Sequence, residues 1–205
     1  MAANQPTHRT FPALHIELPT WVPAMLPPAE HRYATLADRM QLVVELSHRN
    51  VQHGGGPFGA AIFDAKEQTL LAPGVNIVVP TKWSGAHAEM VAMAIAHQIL
   101  ETHDLGSIEN SEYELVTSCE PCSMCYGATP WSGVKRLVCA AREEDAEAIG
   151  FDEGPKPSDW VAGLESRGIQ VVRDLMRNDA KRVLQGYATG GGTIYNGRSG
   201  GRSPR

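Results

Sequence analysis

Two short stretches restrict the fold of this chain more than anything else in it. They are His87-Ala88-Glu89 and Pro121-Cys122-Ser123-Met124-Cys125, each at the start of a segment with helical apolar spacing. All four cysteines, Cys119, Cys122, Cys125 and Cys139, fall between positions 119 and 139. A disulfide scaffold would spread them, so the crowding points to a metal or redox centre. Cysteines three apart on a helix share a face, which lets Cys122 and Cys125 grip one ion. At a helix N-terminus the backbone dipole favours the thiolate, the form that ligates metal. Two sulfurs and the His87 imidazole make three ligands, and zinc held by three keeps a fourth tetrahedral position for water. Zinc lowers the pKa of that water from about 15.7 toward 7. A carboxylate beside it, Glu89, can take the proton and pass it on.

That chemistry carries a geometric condition. Positions i and i+2 lie about 200° apart on an ideal helix, so His87 and Glu89 converge only if the site sits off the helix end. Two other readings of the cysteines stay open at this point. Cys119, three residues before Cys122, could complete a closed Cys3His zinc site. Cys122 and Cys125 alone could form a redox dithiol, which leaves His87 and Glu89 without a role.

Around these stretches, strand and helix signals alternate. Residues 32–53 carry Leu36, Met40, Val43, Val44 and Leu46 at helical spacing, stopped by Gly54-Gly55-Gly56. Residues 58–63 and 70–79 predict a hairpin across the turn-like Asp64-Ala65-Lys66-Glu67. Further helices are expected over 87–103, from Pro121 onward, and over 143–149, 159–167 and 179–187, with strands over 113–118, 135–140 and 169–172. Pro121 suits a first turn, where its missing N–H has no partner to lose. The pattern predicts a three-layer α/β/α domain over residues 31–188 around a mixed sheet.

Residues 1–30, punctuated by Pro6, Pro12, Pro19, Pro23, Pro27 and Pro28, read as an extended arm packed through Phe11, Leu14, Ile16, Leu18 and Trp21. Residues 189–205 form a glycine- and arginine-rich tail. No apolar run approaches the roughly 18 residues of a membrane helix, and no signal-peptide pattern opens the chain. A cytoplasmic protein without membrane contact is therefore expected. A net charge of −5 speaks against broad nucleic-acid binding.

These residues resemble a known family. His-Ala-Glu followed roughly thirty residues later by Pro-Cys-x-x-Cys is the signature of the zinc-dependent cytidine deaminase-like family. Gly56-Pro57-Phe58-Gly59-Ala60, Asn76, Thr117-Ser118-Cys119-Glu120-Pro121-Cys122 and Ala148-Ile149-Gly150-Phe151-Asp152-Glu153 are similar to its guanine deaminase branch. The resemblance implies a five-stranded mixed sheet between helices, with zinc on His87, Cys122 and Cys125 and Cys119 left out of the coordination shell. It implies deamination of guanine to xanthine and ammonia by zinc-bound hydroxide, with Glu89 as proton shuttle. Asn76 would read the purine edge. Glu153 would contact the exocyclic amine and serve as a second proton carrier, with Asp152 the alternative one register away. Phe58, Trp131, Phe151 and Tyr195 are the implied walls for a flat ring. A homodimer is implied as well, with the C-terminal tail over its own pocket or over a partner's.

Rival substrates on the same chemistry are ammeline or another aminotriazine, cytosine or cytidine, guanosine, and adenosine in tRNA. The last requires a basic face that the sequence offers nowhere before its final eight residues. A zinc-stabilised binding module without turnover is the rival from another class. It predicts full zinc occupancy without ammonia release, and it leaves Glu89 unexplained.

Overall fold

The structure is a computed structural model that describes residues 11–197. Residues 1–10 and 198–205, the ends of the expected arm and tail, lie outside the described residues. Five strands form one sheet in the order β2-β1-β3-β4-β5. They are β1 (Gly59–Asp64), β2 (Thr69–Val75), β3 (Tyr113–Cys119), β4 (Arg136–Ala141) and β5 (Gln170–Val172). β1 runs antiparallel to β2 and β3, while β3, β4 and β5 are parallel.

Side chains along a strand alternate between faces, so a strand covered on both sides must be apolar throughout. In β1, Ala61 and Phe63 enter one core while Ala60 and Ile62 enter the other. In β4, Val138 and Ala140 oppose Leu137 and Cys139 in the same way. Helices α2 (Leu36–Gln52) and α8 (Arg177–Thr189) cover the first face, and α4 (Ala88–Ile99), α5 (Ser123–Ser132) and α7 (Trp160–Glu165) the second. This is the expected three-layer α/β/α architecture.

Glycine sets how closely the two long helices approach the sheet. A Cβ at Gly59 would lie 2.6 Å from the Val43 carbonyl oxygen of α2, and one at Gly74 would lie 2.2 Å from the Ala88 carbonyl oxygen of α4. The second contact fixes where α4 begins. On β3, Glu114 is fully buried and held by Arg39 and, at 2.9 Å, by Arg136. Helix α6 (Glu143–Glu147) is tied to α8 through Asp145. That carboxylate accepts from Arg177 Nε at 2.7 Å and the Arg142 backbone N–H at 3.0 Å, and pairs with Lys181 at 3.0 Å. Bonding from Arg177 first, and from Arg142 and Lys181 after it, holds the carboxyl well below the usual carboxylate range.

Several element boundaries differ from expectation. β2 stops at Val75, because the Asn76 side chain accepts from the Val78 N–H at 3.3 Å and turns the chain into the short helix α3 (Val78–Thr81). α4 ends at Ile99, two residues before Glu101 adopts a left-handed φ of 50°. Pro121 precedes α5 rather than opening it, since Cys122 is the N-cap. The arm is not extended throughout: α1 (Trp21–Met25) is a helical turn, and Trp21 stacks on His53 at 4.9 Å. Ile16, Leu18 and Trp21 pack on the core as expected. Phe11 and Leu14 do not, being 83% and 66% exposed, because the body gives the arm a packing face only from Ile16 onward.

Two outcomes follow from this packing. G74A should lower stability by about 1–3 kcal/mol, the usual range for overpacking, and weaken zinc retention because α4 is displaced. Thermal denaturation and a zinc titration would read both. For Asp145 the folded pKa lies below the unfolded value of about 3.9. Its stabilisation is therefore complete above about pH 4 and declines as the pH falls below that value. The Tm difference between wild type and D145N should be largest at neutral pH and shrink in acid.

Candidate active site

The geometric condition on His87 and Glu89 is met by the backbone. His87 is the N-cap of α4, with extended φ −67° and ψ 155°, so its ring does not follow the helical array. Glu89 is the second residue of the helix proper. Cys122 occupies the matching place on α5, an N-cap with φ −63° and ψ 173°, and Cys125 lies within the first turn. The site is thus built from the openings of two helices, one seated on β2 and the other following β3.

The ligand atoms are close enough to share an ion. His87 Nδ1 lies 3.5 Å from Cys122 Sγ and 3.7 Å from Cys125 Sγ, and all three donors fall within 4.8 Å of one another. Tetrahedral zinc, with bonds of about 2.3 Å to sulfur and 2.0–2.1 Å to nitrogen, spaces its donors about 3.6–3.8 Å apart. The donor set fits zinc. Cys119 does not join it: its thiol donates to the Arg142 carbonyl at 3.5 Å, and the closed Cys3His arrangement is absent among the described residues. All four cysteines are free. The Cys122 thiol is drawn down to about 4, first by its hydrogen bond with Cys125 and then by His87, while the Cys125 thiol is correspondingly raised.

Two buried carboxyls accompany the ligands. Glu89 is raised, chiefly by burial and then by the Cys122 charge. Glu153 is pushed up to about 8 by the same causes in the same order. Asp152, the alternative by one register, is exposed, and its carboxylate accepts from the Gly154 N–H at 3.0 Å. Glu153 is therefore the inward-facing acid. Asn76 is buried with its Oδ1 taken by the Val78 N–H, leaving the amide nitrogen as its free donor end.

Sequence reading missed Asn50, whose Nδ2 donates at 2.8 Å to both the Gly56 and the Asn76 carbonyl oxygens. The one faint trace in the sequence was an asparagine one turn before the Gly-Gly-Gly stop, since its burial shows only in the structure. Its amide fixes the backbone that presents Asn76.

Phe151 gathers the aromatics, meeting Phe58 at 5.0 Å and Tyr195 at 5.1 Å. Residues 189–197 of the tail turn back onto their own chain. Tyr187 donates to the Thr193 carbonyl at 2.6 Å, and Asn196 bonds to both the Gly150 carbonyl and the Asp152 N–H. The Tyr195 hydroxyl is buried and unpartnered, and a Cβ at Gly56 would lie 2.4 Å from it and 3.0 Å from Asn76 Oδ1. Trp131 is the exception. It stands 83% exposed and does not join the other rings. It follows the buried Thr129 by two residues, about 200° round the helix, on the side away from the ligands.

Three-ligand geometry with an adjoining buried carboxyl, in this fold, defines a zinc-dependent hydrolase of the deaminase class. The family model for the cytidine and deoxycytidylate deaminase zinc-binding region matches residues 34–141, and the chain belongs to that family. It is similar to a solved guanine deaminase from Nitrosomonas europaea at 48% identity, covering 89% of this chain and 100% of the other, with a TM-score of 0.83. It is equally similar to a structure in complex with 2,6-diaminopurine, at 50% identity over 90% of this chain and 97% of the other, TM-score 0.83. The guanine deaminase of Bacillus subtilis is 38% identical over 115 residues, 56% of this chain and 69% of that protein.

The ligand assignment predicts that C125S reduces zinc from one ion per chain to a small fraction, whereas C119A leaves it at one. Metal analysis of the purified variants would read this.

Proposed function

We propose that the protein hydrolyses guanine to xanthine and ammonia. The observation that carries this reading is the meeting, beside a three-donor metal site, of two buried carboxyls and one buried amide under a cap of aromatic rings. The guanine deaminases to which the chain is similar support the choice of substrate. So does the bound 2,6-diaminopurine of the relative, which carries an amine at the same ring carbon as guanine.

Zinc on His87, Cys122 and Cys125 supplies the Lewis acidity that makes water nucleophilic at neutral pH. Glu89 takes a proton from the attacking water and delivers it toward the ring and the departing nitrogen. Glu153 faces the exocyclic amine and helps carry the second proton that ammonia needs. One water is consumed, the C2–N bond breaks and one ammonia leaves. The Asn76 amide nitrogen donates to an acceptor on the purine edge. Phe58, Phe151 and Tyr195 enclose the ring and exclude bulk water. With Tyr195 of the tail packed on Phe151, a free base suits the cap better than a polynucleotide does.

The protein acts as a homodimer in this reading, paired through the α5 face that exposes Trp131 and Met124. Its free thiols suit a reducing, cytoplasmic setting and a role in purine catabolism.

Zinc-loaded protein should release ammonia from guanine in preference to guanosine, ammeline, cytosine, cytidine and adenine. Release from cytidine alone would remove the purine assignment, and release from none would remove the enzyme. E89Q should keep one zinc per chain and lose at least about 10³-fold in kcat, beyond the usual lower bound for a proton-transfer group. Near-normal turnover in that variant would refute the role given to Glu89.

A further inference from the structure

We infer that Lys156 is a positioning residue, locking the loop that carries Glu153 onto the backbone on either side of the ligand Cys122. The inference rests on the deaminase reading for its kinetic consequence, though not for its geometry. Only 1% of the Lys156 side chain is exposed. Its ammonium donates to the Pro121 carbonyl at 2.9 Å, pairs with Glu143 at 2.8 Å and lies 4.7 Å from the centre of the Trp160 ring.

Pro121 is the residue before Cys122. The residue after it, Ser123, donates its backbone N–H to the Glu153 carbonyl at 2.9 Å. Two rungs therefore bracket the ligand, and both belong to the segment 153–156. Gly154 closes the ladder. It has a φ of +75°, its carbonyl accepts from the Lys156 N–H at 3.0 Å, and a Cβ there would sit 3.0 Å from Ser123 Oγ.

Lysine is almost never fully buried unless paired, and a buried ion pair brings little net stability over apolar packing. Glu143 keeps 27% of its side chain exposed, so the ion pair alone could form at the surface. What burial adds is the bond to Pro121. That bond sets the distance between a metal ligand and an acid on a separate loop. A misplacement of about 1 Å in such a pair can lower the rate on the order of 10²-fold.

The test uses zinc-loaded K156M, E143Q and K156M/E143Q. In K156M, zinc should stay at one per chain, kcat for guanine should fall about 10- to 100-fold, and KM should change by less than about threefold. Amide exchange at Ser123, measured without substrate, should quicken at least about tenfold. E143Q keeps the Pro121 rung and should retain kcat within about threefold. The double variant holds no unpaired buried charge, so it folds without the ion-pair strain and should still show the loss in kcat and the faster exchange.

The lock is overturned if kcat and Ser123 exchange in K156M stay within threefold of wild type. It is also overturned if both return in the double variant together with Tm, which would reduce Lys156 to a stabilising ion pair. Failure of the deaminase reading shows separately, as wild-type protein without guanine turnover. The exchange measurement then still decides the lock.

Discussion

The pocket gathers Cys122, Glu89 and Glu153, groups that are anionic when ionised, inside a shell that excludes most water. Transferring even one such charge from water is costly, and neighbouring like charges raise each other's pKa. The rise of Glu153 to about 8 is that cost made visible. Positive potential has to come from somewhere, and the architecture supplies it by directing the openings of α4 and α5 at one point. The three donors at those openings then match the spacing that a divalent ion requires. A divalent ion held by His87, Cys122 and Cys125 would reverse the local pKa logic and draw the carboxyls back toward ionisation.

Burial supports this arrangement from beneath. α4 reaches its place only because Gly74 lets the Ala88 backbone lie directly on β2. β3, which leads into Cys122, is anchored at its far end by the Glu114 carboxylate between Arg39 and Arg136. Removing one partner from a buried ion pair of this kind leaves an uncompensated charge, whereas surface pairs such as Arg49–Glu45 contribute little. The rigidity needed at the ligands is therefore built mainly into the strands and the helix seats.

Much of this was legible in the sequence. The alternation of β-rich and helical segments gave the layers, and the two chemistry-bearing stretches gave the ligands and Glu89. The cause is physical: periodicity reports burial, and ligand spacing reports which residues share a helix face or cap. The end of β2 was not legible, because a side-chain bond from Asn76 overrode the β-rich composition of residues 76–79. Trp131 was misplaced because an aromatic near a motif carries no information about which side of its helix it occupies. Asn50 and Lys156 left almost no trace, since each acts by bonding to backbone carbonyls distant in sequence. Backbone carbonyls have no residue signature.

That last class of contact explains how the site divides its labour. His87 and Cys122 cap the two helices that carry Glu89 and Cys125, and those helix ends are fixed by packing on the sheet. Asn76, Glu153 and Tyr195 sit on connecting segments, which can vary between relatives without disturbing the core. Each of these segments is nevertheless tied to the rigid part by specific polar bonds. Asn50 holds the stretch presenting Asn76, the Ser123 amide and Lys156 hold the loop bearing Glu153, and Asn196 pins the tail beside Phe151. In the proposed reading, the metal end is thereby separated from the segments that would meet the substrate ring. On that reading a change of substrate would call for new side chains on these tethered segments while the metal end stays untouched, because the tethers grip backbone that every side chain shares.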